Sequence, residues 1–327
     1  MKKGIVIFFV TISIFLPALI KAQHPPRTDI AVSIGSTLFF GDLGGANFIG
    51  RPLFFDLERS LLKPVGMLSY HYQASRHLGF RIQASYSGVA GDDQLIEPKQ
   101  LFAPEWFRWY RNLNFHSKLW EVSVQAEYYL IRYEPGNMDK RWGPYLLIGA
   151  GMFHFNPKGL HQGSEVALKP LHTEGQGFPG IDAKEYKLYQ PCIPMGAGLR
   201  YNVTREFIIG VEYADRKTFT DYIDDVSTDY VAQADFNNFF SNDPASAALA
   251  YELSVQSDLI DPDGLHAQVT APEAQRGDPK DKDHYIYPTF SFAYVIGQRH
   301  VNAKSQLKCM KWGGSGGQSG VHSKKRK

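Results

Sequence analysis

The chain has 327 residues with 35 Lys and Arg against 33 Asp and Glu, a formal net charge of +2, and it carries 22 Phe, 18 Tyr and 5 Trp. With 43% hydrophobic residues it is too apolar and aromatic for a disordered polymer. Beyond the N-terminus no run approaches the roughly 20 apolar residues that a helix needs to cross a bilayer, which excludes a polytopic helical membrane protein. Two cysteines, Cys192 and Cys309, are too few for an all-thiolate metal site or a dense disulfide framework.

The chain opens with Lys2 and Lys3, an apolar stretch from Ile5 to Leu16, Pro17 and a small-residue exit near Ala22. This pattern predicts a secretory signal over residues 1–22, because the apolar run is too short and too broken for an anchor. Export places the mature chain in an oxidising compartment. The body, residues 23–297, precedes a tail, residues 298–327, that holds eight Lys and Arg and no acid. The tail's charge leaves −6 on the remainder, and its Gly313 to Gly320 stretch has a flexible linker composition. An exported basic segment rarely meets nucleic acid, so anionic lipid or an acidic protein is the expected partner, with a solvated tail as the alternative.

Eight segments alternate apolar and polar residues over ten or more positions, as strands do when their two faces see lipid and lumen. In chain order they are Thr28 to Phe40, Pro64 to Ser75, His77 to Ala90, His116 to Tyr133, Gly143 to Phe155, Leu188 to Asn202, Glu206 to Asp215 and Tyr285 to Gly297. In the third, Leu78, Phe80, Ile82, Ala84 and Tyr86 oppose Arg81, Gln83 and Ser85. A soluble sandwich also alternates. Here, however, the polar face carries charges of both signs (Arg81, Glu121, Glu127, Arg200, Glu212) with Gly35, Gly196, Gly198 and Gly210, the content of a narrow lumen filled by side chains. Aromatic residues near strand ends, among them Trp120, Tyr128, Tyr129, Tyr133, Trp142, Tyr145, Tyr189, Tyr201, Tyr285 and Tyr287, predict two interfacial girdles.

The connections alternate in length without a break, as outer-membrane barrels require. Arg76, Glu134 to Trp142 and Val203 to Arg205 are short; Gly41 to Lys63, Gly91 to Phe115, Asn156 to Lys187 and Arg216 to His284 are long. The expected fold is an all-β, eight-stranded antiparallel transmembrane β-barrel with long extracellular loops, both termini in the periplasm and a flexible periplasmic C-terminal tail. The last loop holds fourteen acids against five bases. Asp243 and Pro244 before an alanine-rich run predict a helix there, and Pro104 and Glu105 before Trp106 predict another.

Eight strands leave no aqueous channel, so a diffusion pore is disfavoured. A lipid-cleaving enzyme would need a nucleophile and base at the rim; His154, Ser85 and Ser87 offer the residue types without an orienting acid, and no G-x-S-x-G elbow occurs. Asp261 to Gly264 and Asp278 to Asp283 invite a calcium reading, but they miss the EF-hand spacing and suit solvated turns. Cys192 is expected as a small buried hydrophobe and Cys309 as an intermolecular disulfide donor or an unpaired thiol.

Gly198-Leu199-Arg200-Tyr201, Gly210-Val211-Glu212-Tyr213 and the run Arg216-Lys217-Thr218-Phe219-Thr220-Asp221-Tyr222-Ile223-Asp224-Asp225-Val226-Ser227 resemble the signature of PorG-like outer-membrane proteins of the Bacteroidota type IX secretion system. Arg111 to Phe115 with Trp120 to Ser123, and Phe39-Phe40-Gly41-Asp42-Leu43-Gly44, resemble other segments of that family. The resemblance implies an eight-stranded barrel without enzymatic activity, cofactor or small-molecule substrate, associated with a periplasmic ring built from a lipoprotein and its partner, PorK and PorN. The tail is not part of the matching motifs.

The expected role is to position that ring at the outer membrane. Arg299, Lys304, Lys308, Cys309 and Lys311 are the partner-binding candidates, and Gly41, Asp42, Arg216, Thr218, Phe219, Thr220, Asp221, Tyr222, Asp224 and Asp225 form the signature loop. In that loop Phe219 and Tyr222 are expected to fold over the barrel mouth while the aspartates accept backbone N–H groups in turns. The alternative function is a structural or adhesive barrel that binds ligands through its outer loops.

Overall fold

The computed structural model describes residues 27–43, 62–98 and 100–296. The signal segment and the tail with Arg299, Lys304, Lys308, Cys309 and Lys311 lie outside the described residues.

Eight long strands close into one antiparallel barrel. They are β1 (Arg27–Phe40), β2 (Lys63–Gln73), β3 (Leu78–Asp92), β4 (Asn114–Tyr129), β5 (Trp142–His154), β8 (Tyr189–Asn202), β9 (Phe207–Thr218) and β10 (His284–Ile296). Each pairs with its neighbour in sequence, and β1 closes on β10 through a register running from Thr28 opposite Ile296 to Phe40 opposite His284. Closure leaves no barrel strand with an unpaired edge.

The faces follow the alternation. Outward positions carry exposed apolar side chains, including Ile30, Val32, Leu68, Ile82, Val122, Val124, Ile148, Val211 and Phe292. Such a continuous belt has no place in water and suits a hydrocarbon layer. At its long-loop edge Tyr86, Trp120, His154 and Tyr189 follow one another across four strands, with ring centroids 4.4 Å apart for the first pair and 4.6 Å for the last. At the other edge stand Trp142 against Tyr201 and Phe207 against Tyr294. Two aromatic girdles exist, but Tyr129, Tyr133, Tyr145, Tyr285 and Tyr287 do not belong to them; each is buried. In the strands the reason is parity: Tyr129 shares the inward face of β4 with Glu127, and Tyr145 that of β5 with Leu147.

The short connections are Ala74 to His77, Leu130 to Arg141 and Val203 to Glu206, so all three exceed the expected lengths, because β2 ends at Gln73, β4 at Tyr129 and β9 begins only at Phe207. The described barrel begins and ends on that same side. Strand β9 runs to Thr218 rather than Asp215, which draws Arg216 out of the loop and into the barrel.

The long loops fold. The one after β5 forms a hairpin, β6 (Lys158–His161) with β7 (Ser164–Ala167), whose four-residue strands are too short to show a long alternation. Helix α1 (Pro104–Arg111) and helix α3 (Pro244–Ser254) form where proline and good helix formers predict them, and Asp243 caps α3 by accepting from Ser246 N. A third helix, α2 (Gln233–Phe239), forms without the capping residue or proline that marks the others and is ordered by Phe236, which is fully buried in the apolar core of the loops. Leu43, Leu113, Phe155, Leu171, Phe178, Ile223, Val226, Phe236 and Leu253 form one apolar core that continues down through Leu119, Phe153, Tyr285 and Tyr287 into the upper lumen. The loops therefore make a lid with its own interior, seated on the barrel mouth.

Candidate functional site

The lumen is closed by side chains. Arg81 Nη1 and Nη2 donate to Glu212 at 2.6 and 2.8 Å, while its Nε donates to Gln125 at 3.0 Å. Tyr145 donates to the same Glu212 at 2.6 Å, and Glu127 lies 3.5 Å from Arg81 and 3.2 Å from His71. Arg200 pairs with Asp29 and approaches the Tyr129 hydroxyl at 3.3 Å. Charges this deep are tolerated only when paired and hydrogen-bonded. The inward set Arg81, Glu121, Glu127, Arg200 and Glu212 thus lies where the alternation put it. Gly198 is needed there, because a Cβ would collide with the Tyr145 ring. Gly35, grouped with the lumen glycines on the sequence pattern, is exposed.

One strand turn higher, Arg216 is fully buried, with its guanidinium 4.2 Å from the Tyr287 ring centroid and its Nε 3.4 Å from Glu121. A cation over an aromatic face in a dry site is a favourable substitute for water. Thr218 ends the strand by donating to the carbonyl of Asp283, and Thr220 accepts the N–H of Tyr222 at 3.2 Å. Gly41 has no room for a side chain beside the Asp283 carboxylate.

The signature aspartates hold the lid together, and only one of them as expected. Asp224 accepts the N–H groups of Leu43 at 2.8 Å and Val226 at 3.0 Å. Asp225 accepts hydroxyls instead, from Tyr186 at 2.6 Å and from Thr173. Asp221 accepts the Ser227 hydroxyl at 2.7 Å. Phe219 does not fold over the mouth; it points away with 59% of its surface exposed, while Tyr222 is half-buried and stacks on Tyr186. Phe219 follows the buried Thr218 and so falls on the outward side, while Ile223 and Val226 of the same run join the lid core.

Two arginines tie these loops to the rest. Arg111, at the end of α1, grips Asp93 with Nε at 2.8 Å and Nη2 at 3.0 Å, and donates to the carbonyls of Asp42 and Arg276. Arg276 donates to Glu174 at 2.9 Å and to the carbonyl of Asp225 at 2.7 Å. Glu174 in turn accepts Ser227 N at 2.9 Å and Thr228 N at 3.0 Å. Asp42 accepts Asp278 N at 2.9 Å. Arg276 and Glu174 were not singled out from the sequence, since nothing local distinguishes them from surface charges 102 positions apart.

Acids outnumber bases in this buried layer, and the imbalance shows in their protonation. Burial, reinforced by Asp42, holds Asp224 well above the usual carboxylate range, and burial with Asp224 and Asp221 does the same to Asp283. Burial pushes Asp221 up to about 7, and Asp225 up to about 6 against the pull of Arg276. Among the described residues no group of three His, Cys, Asp or Glu side chains is arranged to hold a metal. Asp261, in the segment that invited a calcium reading, accepts Leu265 N, His266 N and the Tyr110 hydroxyl as a turn does. His154 faces outward beside Tyr189, whereas Ser85 and Ser87 are buried on the inward face of β3, Ser87 bonded to the Tyr287 hydroxyl at 2.7 Å; the three do not meet. Cys192 is buried and unpaired, as expected of a small core residue.

Residues 5–251 match the model of a domain of unknown function, DUF6089, and the chain belongs to that family. No curated protein matches the sequence. Solved structures similar in architecture include Ail, the attachment invasion locus protein of Yersinia pestis (10% identity, 84% of this chain and 100% of that one, TM-score 0.37). They also include Neisserial surface protein A (9%, 83% and 99%, 0.35) and OprG of Pseudomonas aeruginosa (12%, 84% and 98%, 0.33).

Proposed function

We propose that this DUF6089 protein is a non-enzymatic outer-membrane component of a type IX secretion machine. In this reading the barrel fixes position in the bilayer, the lid faces outward, and the short-turn face with the basic tail holds a periplasmic ring of the PorK and PorN type. The observation that carries the scaffold role is the packed lumen: Arg81, Glu127, Arg200, Glu212 and their partners fill the bore, so the barrel offers a fixed body rather than a conduit. The assignment to secretion rests on the resemblance of the signature segments.

The short-turn face is built to be rigid. Asn202 donates to the carbonyls of Glu134, Asn137 and Lys140 and accepts from Tyr133 and from Gly136 N, pinning the longest turn. Arg76 Nε donates to Glu134 at 2.8 Å. Arg132, Arg141 and Arg205 stand exposed around this platform, a basic rim that suits an acidic partner.

Site-specific crosslinking in intact cells, from position 132 or 141 and from position 308, tests the reading. Ring subunits should be captured from both places, and raising the salt during purification should release a non-crosslinked complex. Crosslinks that reach only lipid or unrelated barrels would refute it. The folded lid favours a second reading, an adhesive barrel; exchanging the outer loops while secretion persists would separate the two.

A further inference from the structure

Two lysines stand together at the long-loop margin of the lipid-facing belt, on the outward side of β2, β3 and β4. Gly88 shares the outward face of β3 with Ala84 and Tyr86, and Lys118 of β4 lies directly opposite it. The β2–β3 ladder ends where Gly66 meets Tyr86, and above that point Lys63 lies across the bare Gly88: its Cβ and Cγ are each 3.5 Å from the place a Gly88 Cβ would take. Cross-strand neighbours stand about 5 Å apart at Cβ, so the two lysine stems leave the sheet within roughly 9 Å of each other and their ammonium groups can meet on one anion.

Lys118 is exposed and Lys63 half-buried, and among the described residues neither has a carboxylate partner. The cations beside them are already served, since His116 and Lys158 both reach Glu165 at 3.1 Å. Two unpaired like charges this close repel each other, and the more so at the edge of a hydrocarbon layer, where water screens less. Beneath the pair, Tyr86 and Trp120 pack with ring centroids 4.4 Å apart, in the girdle layer where headgroups meet chains. Beside that step Gly66 opens a notch in the belt. Beyond its neighbours in the chain no atom lies within 4 Å of the place its Cβ would take, and its cross-strand partners Ile34 and Tyr86 form the sides. Cations above an aromatic step and an apolar notch repeat the order of phosphate, headgroup linkage and acyl chain in a lipid.

We propose that this surface binds an anionic lipid through a headgroup phosphate that carries no cation of its own, the phosphate bridging Lys63 and Lys118 and an acyl chain lying in the notch over Gly66. Lysine stems reach from the belt to the interface in this way, and each lysine near an anionic headgroup strengthens the attachment. The site opens onto the hydrocarbon belt, which a soluble acidic protein does not reach. It rests on the barrel lying in a bilayer and not on the secretion role, so loss of ring binding would leave it standing.

The test is titration of the full-length protein in a non-ionic detergent with dioleoyl phosphatidic acid and with dioleoyl phosphatidylethanolamine, whose phosphate has an ammonium of its own, with bound lipid counted by native mass spectrometry. Phosphatidic acid should bind about tenfold or more tightly. Lys63→Gln and Lys118→Gln should each weaken it about fivefold and leave phosphatidylethanolamine unchanged, while Lys158→Gln should alter neither. Equal binding of the two lipids, a loss confined to one of the two lysine variants, or the same loss in Lys158→Gln overturns the proposal. Displacement of phosphatidic acid by an equal concentration of inorganic phosphate reduces the pair to a simple anion site and also overturns it. The heat-modified gel mobility of a closed barrel reports folding of each variant. Should Lys63→Gln fail to fold, Gly66→Phe carries the test beside Lys118→Gln: filling the notch should weaken phosphatidic acid about threefold or more, and unchanged binding overturns the proposal.

Discussion

In the lower lumen, Arg81, Glu127, Arg200 and Glu212 sit on strands whose ladders fix the backbone; in the lid, Arg111 sits at a helix end and Glu174, Asp225 and Arg276 on segments outside the barrel ladder. Both regions bury charge, but the direction of support is reversed. The sheet positions the lumen ions, whereas the lid ions position their own loops by reaching carbonyls and N–H groups of distant segments. Removing an ion should therefore leave the barrel closed in the first case and loosen a whole layer in the second.

The sharpest contrast is expected from Arg276→Ala. It removes the guanidinium that serves both Glu174 and the Asp225 carbonyl and leaves the buried Glu174 carboxylate without its cation, a loss of about 3–5 kcal/mol. Because the lid core is continuous from Leu43 to Leu253, the loss should appear as protease cleavage between residues 219 and 283 and as fast hydrogen exchange there, with barrel strands still protected. Resistance of that segment to cleavage, or fast exchange in the strands, would break the comparison. Gly198→Ala perturbs the lumen instead: its methyl meets the Tyr145 ring, for about 1–3 kcal/mol read as a lower denaturant midpoint of the barrel without lid cleavage.

The lid should also respond to pH with a sign opposite to ordinary acid denaturation. Asp221 ionises near 7 in the folded lid against 3.8 when solvated, so between those values the folded state holds a proton that the unfolded chain releases. Stability contributed by such a group is greatest below about 4 and declines as pH rises to about 7. Asp225, raised to about 6, acts in the same direction over a narrower window. Asp221→Asn, which can still accept from Ser227, should stabilise the lid at pH 8 by about 1–2 kcal/mol, discounted for the screening that Lys282 and solvent provide, and flatten its pH dependence. Unfolding midpoints at pH 5 and pH 8 for the parent and variant read this directly; a variant that is weaker at pH 8 would contradict it.

The same division explains what could be read from the sequence. Barrel strands announce themselves because period-two alternation is local: Leu78 to Tyr86 shows both faces within nine residues. The inward tyrosines were legible by the same rule, since Tyr129 differs in parity from Tyr128, but a count of aromatics near strand ends ignores parity. The lid obeys no period. Asp42, Asp93, Glu174, Asp225 and Arg276 converge from five separate segments, and each looks alone like a solvated charge. Signature aspartates invite a turn reading for the same reason, although two of the three bind hydroxyls of other residues.

Phe219 offers the mildest test of the comparison. It lies inside the signature, between a buried Thr218 and a buried Thr220, yet it extends outward with 59% exposure and takes no part in the lid core. If the lid is held by its ions and by the core beneath them, Phe219→Ser should shift stability by no more than about 0.5 kcal/mol, the range of ordinary surface changes. Lid protease resistance should match the parent. A large loss would mean that the residue is covered by something other than this chain, and crosslinking from position 219 would then identify what rests on the signature from outside.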